Sequence, residues 1–292
     1  MSELYGGVET GGTWCVCAVA EGSGRIVVEE QFPTRDPEST LARVVDFFRS
    51  HPRVRAIGIA SFGPVDLHPE SPTWGYVTTT PKPGWRHVAV ATALRDELGV
   101  PVAFDTDVNA AGLAEHRWGA GRGVDTVCYV TVGTGIGTGV VVKGRPWHGL
   151  VHPEAGHMRV PHDRERDPFE GSCPVHGDCW EGLAAGSAMA KRWQAPPERL
   201  EDDHPAWTLE AEYLALGIVN LILMVSPERV IVGGGLLQHR ALLDMIRTRV
   251  PDVMAGYLDA PQLGAEISSY LVRPELGDRA GVLGAVALAQ DL

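Results

Sequence analysis

Two segments about 125 residues apart carry the same arrangement, and this duplication limits the folds open to the chain more than any other feature. Near residue 10, Gly7-Val8-Glu9-Thr10-Gly11-Gly12-Thr13 joins strand-like runs at residues 4–9 and 14–20. Near residue 135, Val132-Gly133-Thr134-Gly135-Ile136-Gly137-Thr138-Gly139 joins similar runs at residues 126–132 and 137–143. Both put glycines and threonines in a turn, where bare N–H groups and hydroxyls can approach phosphate oxygens closely. Either one alone reads as an ordinary hairpin turn. Two copies, one in each half, argue instead for a paired clamp on a triphosphate. Neither continues into the Gly-Lys-Ser/Thr of a P-loop, and neither opens a helix as a dinucleotide fingerprint must.

The remaining periodicity predicts α/β architecture. A third strand at residues 26–32 completes a meander, and Asp36-Pro37-Glu38 opens a helix whose apolar face is Leu41, Val44, Val45 and Phe48. A buried strand at 56–61, a helix at 87–98 and a strand at 102–105 follow. Between them, residues 63–85 form a Pro/Gly-rich stretch long enough to suggest a substrate loop. After the second glycine turn, residues 145–186 are rich in Gly, His and Pro, so they are expected to be loop. Helices at 187–193 and 207–225, a strand at 229–232 ending in Gly233-Gly234-Gly235, a strand at 267–272 and a helix capped by Asp278 complete the chain. Leu216, Val219, Asn220 and Leu223 form a stripe suited to core or subunit contact.

Composition narrows the function classes. A chain of 292 residues, 44% apolar, is large enough for two cores, with a catalytic cleft between them. A net charge of −12 without a Lys/Arg block argues against nucleic acid as the partner. Met1-Ser2-Glu3 leads directly into a strand without a signal-peptide pattern, and no uninterrupted apolar run approaches about 18 residues, so no membrane is expected. Five cysteines, with Cys15 and Cys17 two apart on one strand face, suit a reducing cytoplasm.

Two further clusters carry chemistry. Asp105-Thr106-Asp107-Val108-Asn109 lies where a buried strand gives way to a helix, the place at which an open α/β sheet presents polar groups to ligands. Asp107 there is either the helix N-cap or a general base toward a hydroxyl attacking phosphorus, and the two roles are compatible. Cys173-Pro174-Val175-His176-Gly177-Asp178-Cys179 supplies three soft or borderline ligands in a tight loop, as a tetrahedral zinc site needs. His157 is the leading fourth donor, with His148, His152 and His162 as competitors.

Taken in order, Glu9-Thr10-Gly11-Gly12-Thr13, Gly63-Pro64-Val65-Asp66, Asp107-x-Asn109, the turn at 133–139, Glu154-x-x-His157, the Cys173–Cys179 loop and Glu181-Gly182-Leu183 resemble the ROK family of sugar kinases over nearly the whole chain. Thr78-Thr79-Thr80-Pro81-Lys82-Pro83-Gly84-Trp85 and the Cys-x-x-His-x-x-Cys spacing resemble its bacterial zinc-containing fructokinases more than its glucokinases.

The resemblance implies an actin-like ATPase (ribonuclease H-like) fold of two α/β lobes with a central cleft. Residues 1–115, completed by the helix at 278–292, would form one lobe, and residues 116–277 with the zinc loop the other. Asp107 would be the base. Gly63, Pro64, Thr79, Asn109, Glu154, His157 and Glu181 would hold the sugar, and Thr10, Gly11, Gly12, Thr13, Thr134, Gly135, Gly233 and Gly234 the ATP. A structural Zn2+ would sit on His157, Cys173, His176 and Cys179, and Mg2+ would accompany ATP. A homodimer and a hexose substrate, fructose first, are the corresponding expectations. Glucose, mannose or N-acetylhexosamine kinases and sugar-sensing repressors of the same family are the rivals. Many relatives read Asp-x-Gly-Gly-Thr-Lys where this chain has Glu9 and Trp14, which removes a phosphate-contacting cation at position 14.

Overall fold

The computed structural model describes residues 3–292; Met1 and Ser2, at the start of the expected leaderless N-terminus, lie outside the described residues. The chain divides into two compact units, one of Met1–Gly123, Gly139–Pro153 and Glu275–Leu292, the other of Val124–Thr138 and Glu154–Pro274.

In the first unit, β1 (Leu4–Thr10), β2 (Trp14–Glu21) and β3 (Ile26–Pro33) form the antiparallel meander, and α1 (Pro37–Ser50) follows with Asp36 capping the Ser39 N–H at 2.9 Å. Next come β4 (Ile57–Ser61), the two-residue pair β5 (Tyr76–Val77) and β6 (Val88–Ala89), α2 (Val90–Leu98), β7 (Val102–Thr106) and α3 (Asp107–Trp118). The main sheet runs β3-β2-β1-β4-β7, with β1, β4 and β7 parallel. Phe47, Phe48, Ile57, Ile59 and Trp85 fill the core on one side. Helix α2 begins three residues later than the periodicity suggests, because Val88 and Ala89 pair with Val77 and Tyr76 instead.

The second unit starts with β8 (Thr126–Val132) and a turn into β9 (Ile136–Val142), along which the chain returns to the first unit for β10 (Arg145–Pro146). Helices α4 (Trp180–Ala184), α5 (Gly186–Trp193) and α6 (Pro205–Val225), strand β11 (Arg229–Gly233), α7 (Leu242–Met254), α8 (Ile267–Tyr270) and β12 (Leu271–Val272) belong to the second unit. β11 lies parallel between β8 and β12. Among the described residues α6 is long and apolar enough to cross a membrane, although Glu210 and Glu212 interrupt its apolar run. Its composition is that of a core helix: Leu214, Ile218 and Ile222 are buried, and Gly217 lies directly against the Trp180 indole. Of the stripe on α6, Val219 is buried and Leu223 is exposed, while Asn220 Nδ2 reaches the Arg159 carbonyl at 3.5 Å.

The final helix, α9 (Ala280–Gln290), packs in the first unit against the backbones of β1, β4 and α3. A Cβ on Gly58 would overlap the Ala285 carbonyl oxygen, and one on Gly284 would overlap that of Ala110, so glycine is what allows contact this close.

Three expectations fail here. Residues 145–186 are not loop throughout, since Trp180–Ala184 form α4 behind the Cys179 cap. Residues 267–272 are not one strand: Ile267–Tyr270 turn as helix, and only Leu271 and Val272 pair with β11. The buried or half-buried Leu263, Ile267 and Tyr270 recur with helical spacing, while Ser268 and Ser269 are exposed. Asp278 is also not the cap of α9, which begins at Ala280. The chain enters α9 instead through the 3₁₀ turn Gly277–Arg279, and the Glu9 carboxyl of β1 lies against Gly281 in the first turn of the helix.

Candidate active site

The expected site residues fall in both units, and each group is built from its own elements. In the first unit, the turn from β1 to β2 is tied down through its carbonyls. Thr34 Oγ1 donates to Gly11 O at 2.8 Å, Lys82 Nζ donates to Gly12 O at 2.6 Å, and Gly11 N–H donates to Trp14 O at 2.9 Å. The N–H groups of Gly12 and Thr13 have no partner among the described residues. The turn therefore presents unused donors, with an ammonium beside them. Thr10 is fully buried and its Oγ1 has no protein partner. Lys82 was not among the expected site residues, yet it brings to the turn the positive charge that Trp14 lacks. Its position in Thr78–Trp85 was the only sequence signal for it.

Thr106 ends β7 and caps α3 by accepting the Asn109 N–H at 3.1 Å. The capping role considered for Asp107 thus belongs to its neighbour. Asp107 occupies the first helical position, where Oδ1 accepts the Val108 N–H at 2.9 Å. Burial pushes its carboxyl up to about 6, with the Val108 bond pulling the other way. A carboxylate poised there is ionised at neutral pH and close enough in basicity to a proton donor's range to serve as a general base.

Glu9 lies nearby against Gly281, and burial followed by repulsion from Asp107 pushes it up to about 7. Its raised value means that the folded protein holds a proton that the unfolded chain has released between about pH 4.5 and 7. Stability from this group is complete at low pH and is lost as pH rises through 7. Glu9→Gln, neutral at every pH, should therefore melt a few degrees above the wild type at pH 8, by about 2–4 °C per kcal/mol, and together with it at about pH 4. Calorimetric scans at the two pH values check this.

Asn109 is fully buried. Its Nδ2 donates to Asp105 Oδ1 at 2.8 Å, and its Oδ1 has no protein partner, a condition that costs about 1–3 kcal/mol unless a ligand supplies a donor. The 63–85 stretch is a braced loop. Thr78 donates its N–H and hydroxyl to Pro64 O at 2.8 and 3.0 Å, and the Trp85 indole N–H donates to Arg35 O at 2.8 Å. Gly63 and Pro64 are joined by a cis peptide, and Thr79 is exposed.

In the second unit, the β8–β9 turn is held from two sides. Gly186 N–H donates to Gly133 O at 2.7 Å, and Ile136 N–H donates to Glu181 Oε2 at 3.1 Å. Gly135 faces the Glu181 carboxylate so closely that a side chain there would collide with it. Glu181, expected at a sugar, is thus bonded in this structure to the turn that carries Thr134 and Gly135. After β11, Gly233 is followed by Gly234 at φ 95°, where a Cβ would strike the Val132 backbone.

His157, Cys173, His176 and Cys179 converge in the second unit, with one ligand atom from each lying within 4.8 Å of the others. The hairpin closed by Cys173 and Gly177, with N–H···O distances of 3.0 and 3.2 Å, brings buried Cys173 and exposed His176 together. Glu154 precedes the 3₁₀ turn Ala155–His157, which delivers His157, and Cys179 caps α4. His157 Nδ1 lies 3.7 Å from Cys173 Sγ and 3.5 Å from Cys179 Sγ, and His176 Nδ1 is 3.8 Å from Cys173 Sγ. Bond lengths of 2.0–2.1 Å to nitrogen and 2.3 Å to sulfur give tetrahedral edges of about 3.6 Å, so these donors fit a single small cation. The competing histidines lie elsewhere: His148 on Asp105, His152 on Val65, and His162 between Asp167 and Asp178.

A glycine turn with unused donors, a buried carboxyl at a strand end and a His/Cys cluster define the class: the chain belongs to the ROK family, which it matches over residues 5–292. It is 43% identical to a fructokinase of Zymomonas mobilis, with 98% of this chain and 96% of that protein aligned. It is 38% identical to a fructokinase of Pediococcus pentosaceus, with 98% of each covered. Among solved structures, a ROK family glucokinase from Streptomyces griseus in complex with glucose and AMPPNP superposes with a TM-score of 0.78 at 27% identity, covering 99% of this chain and all of that one. The fold is that of the ROK kinases, the actin-like ATPase architecture expected above.

Proposed function

We propose that this chain is an ATP-dependent hexose kinase that converts ATP and D-fructose to ADP and D-fructose 6-phosphate, with Asp107 as general base. The observation that carries the reading is the carboxyl of Asp107, held at the start of α3 directly after β7 and near Glu9 of β1, with its pKa pushed up to about 6. Likeness to fructokinases along almost the full chain supports fructose as the sugar.

In this mechanism the Gly12 and Thr13 N–H groups and the Lys82 ammonium meet phosphate oxygens on the first unit, and the turn at Thr134 and Gly135 offers the same kind of contact on the second. Gly233 and Gly234 allow adenosine to approach bare backbone. A sugar hydroxyl attacks the γ-phosphorus in line, its proton passes to a carboxylate oxygen of Asp107, and ADP leaves as its magnesium complex. Asn109 Oδ1 accepts from a sugar hydroxyl, and Gly63, Pro64, Thr79, Glu154, His157 and Glu181 complete the sugar contacts. A hexose with the wrong stereochemistry would leave some of these polar groups unpaired, the strongest basis for discrimination open to such a site.

The ion suited to His157, Cys173, His176 and Cys179 is Zn2+, closed by four protein ligands and therefore structural. It would fix the loop that carries His157 without entering the chemistry. Five unpaired cysteines accord with a reducing cytoplasm, and exposed Leu223 and Met224 on α6 accord with a homodimer.

An ATP-coupled assay over fructose, glucose, mannose and N-acetylglucosamine tests the substrate. Fructose should lead in kcat/KM by at least about tenfold, which corresponds to about 1.4 kcal/mol of transition-state preference. Equal rates on several hexoses would point to the glucose, mannose or N-acetylhexosamine kinases of the family instead.

A further inference from the structure

Residues 147–152 follow β10 as a loop of the first unit, and Trp147, Leu150 and Val151 in it are exposed. Its two histidines make specific contacts with the protein. His148 Nε2 donates to Asp105 Oδ2 at 2.8 Å, and the buried His152 accepts the Val65 N–H on its Nε2 at 3.1 Å. The two bonds require different protonation behaviour, and the surroundings provide it. The Asp105 carboxylate raises the pKa of His148, whereas burial lowers that of His152, keeping it neutral so that its ring nitrogen can accept.

Asp105 can only accept. Its Oδ1 takes the Asn109 Nδ2–H at 2.8 Å and the Thr106 N–H at 2.7 Å, while Oδ2 takes the His148 N–H. An acceptor in this place decides which way round the neighbouring amide lies, with its NH2 toward the carboxylate and its oxygen away. That oxygen is the buried, unpartnered Asn109 Oδ1. Asp105 and His148 therefore ensure that Asn109 offers an acceptor. If the amide were turned over, it would offer a donor instead.

We propose that His148 and His152 are positioning residues of the sugar site. His148 acts through Asp105 to hold the Asn109 amide in one orientation, and His152 holds the Gly63-Pro64-Val65 turn by its backbone. The proposal rests on the hexose-kinase reading, since it takes Asn109 and that turn as sugar contacts. It treats the loop after β10 as part of the specificity apparatus, although neither histidine touches the sugar.

Steady-state kinetics of His148→Ala, His148→Gln, Asp105→Asn and His152→Ala test it. His148→Ala and His152→Ala should each raise the sugar KM about tenfold, the effect of losing one charge-assisted or buried hydrogen bond, while the ATP KM stays within about twofold. Gln, whose amide can donate to Asp105, should restore the sugar KM in place of His148. The double variant His148→Ala/Asp105→Asn should be no worse than Asp105→Asn alone, because the two act in series. A matching rise in both KM values, or failure of Gln to rescue, would overturn the positioning role. The pairing has its own readout: the His148 ring, followed by NMR, should titrate above the ordinary histidine value in the wild type and return toward it in Asp105→Asn. If the wild type phosphorylates no hexose, the functional reading fails by itself. An unshifted His148 in an active enzyme overturns this proposal instead.

Discussion

Asp107→Asn is expected to lower kcat by about 10²–10⁴-fold, the usual worth of a general base, while fructose binding measured by calorimetry changes by less than about threefold. The substitution keeps the size of the side chain and the acceptor for the Val108 N–H at 2.9 Å, so the start of α3 is retained and the proton acceptor is lost. Because burial raises the carboxyl to about 6, wild-type kcat/KM should decline below about pH 6 as the base becomes protonated. The same shift means that the ionised carboxylate weakens the fold, so Asp107→Asn should be at least as heat-stable as the wild type at pH 8. An inactive but unweakened variant separates a catalytic role from general damage. Near-normal turnover would remove Asp107 from the mechanism.

The other large effect concerns the His/Cys cluster. Purified protein should contain about one zinc per chain, and Cys179→Ala should contain almost none, since the three remaining donors cannot close a tetrahedral shell. Removing the ion, by this substitution or by a chelator, should lower the melting temperature by about 10 °C or more, because metal binding energy at such sites is largely folding energy. The fructose KM should rise as well, since Glu154 immediately precedes the 3₁₀ turn that carries His157. Loss of the metal with unchanged sugar kinetics would show that the loop and the sugar site are independent.

Much of the site can be recognised in the sequence because its chemistry depends on short-range patterns. Gly11-Gly12-Thr13 and Thr134-Gly135 are turns whose residue types are dictated locally, and Cys173–Cys179 folds into its own hairpin through Cys173 and Gly177. Asp107 sits at a strand-to-helix junction that its neighbours alone predict. Local pattern also settled most element boundaries, since β1 to β4, α1 and β7 follow from apolar periodicity and turn residues.

The misreadings share a physical origin. Asp278 looks like a helix cap because local capping is common, but it lies inside the 3₁₀ turn Gly277–Arg279 that leads into α9 as the helix packs on β1. Residues 267–272 look like a strand because β-branched and aromatic residues are frequent there, whereas Leu263, Ile267 and Tyr270 turn one helical face inward. The contacts of Lys82, Asp105, His148 and His152 were missed, although both histidines were considered as metal donors, because each acts on a partner that only tertiary contact supplies: Gly12, Asn109, Asp105 and Val65.

The duplicated glycine turns by themselves pointed to a paired clamp on a triphosphate, and the ordered motifs around them pointed to the family and, through it, to two α/β lobes. Those features are short, and their backbone requirements are met by neighbours in the chain. Only the tertiary structure decided how the chemical groups are tuned. The raised carboxyls of Asp107 and Glu9 depend on burial, the orientation of Asn109 depends on an acceptor shared with His148, and His157 joins the His/Cys cluster because folding brings its ring to Cys173 and Cys179. Solvent exclusion and the choice of hydrogen-bond partner are long-range quantities, and no local stretch of sequence contains them.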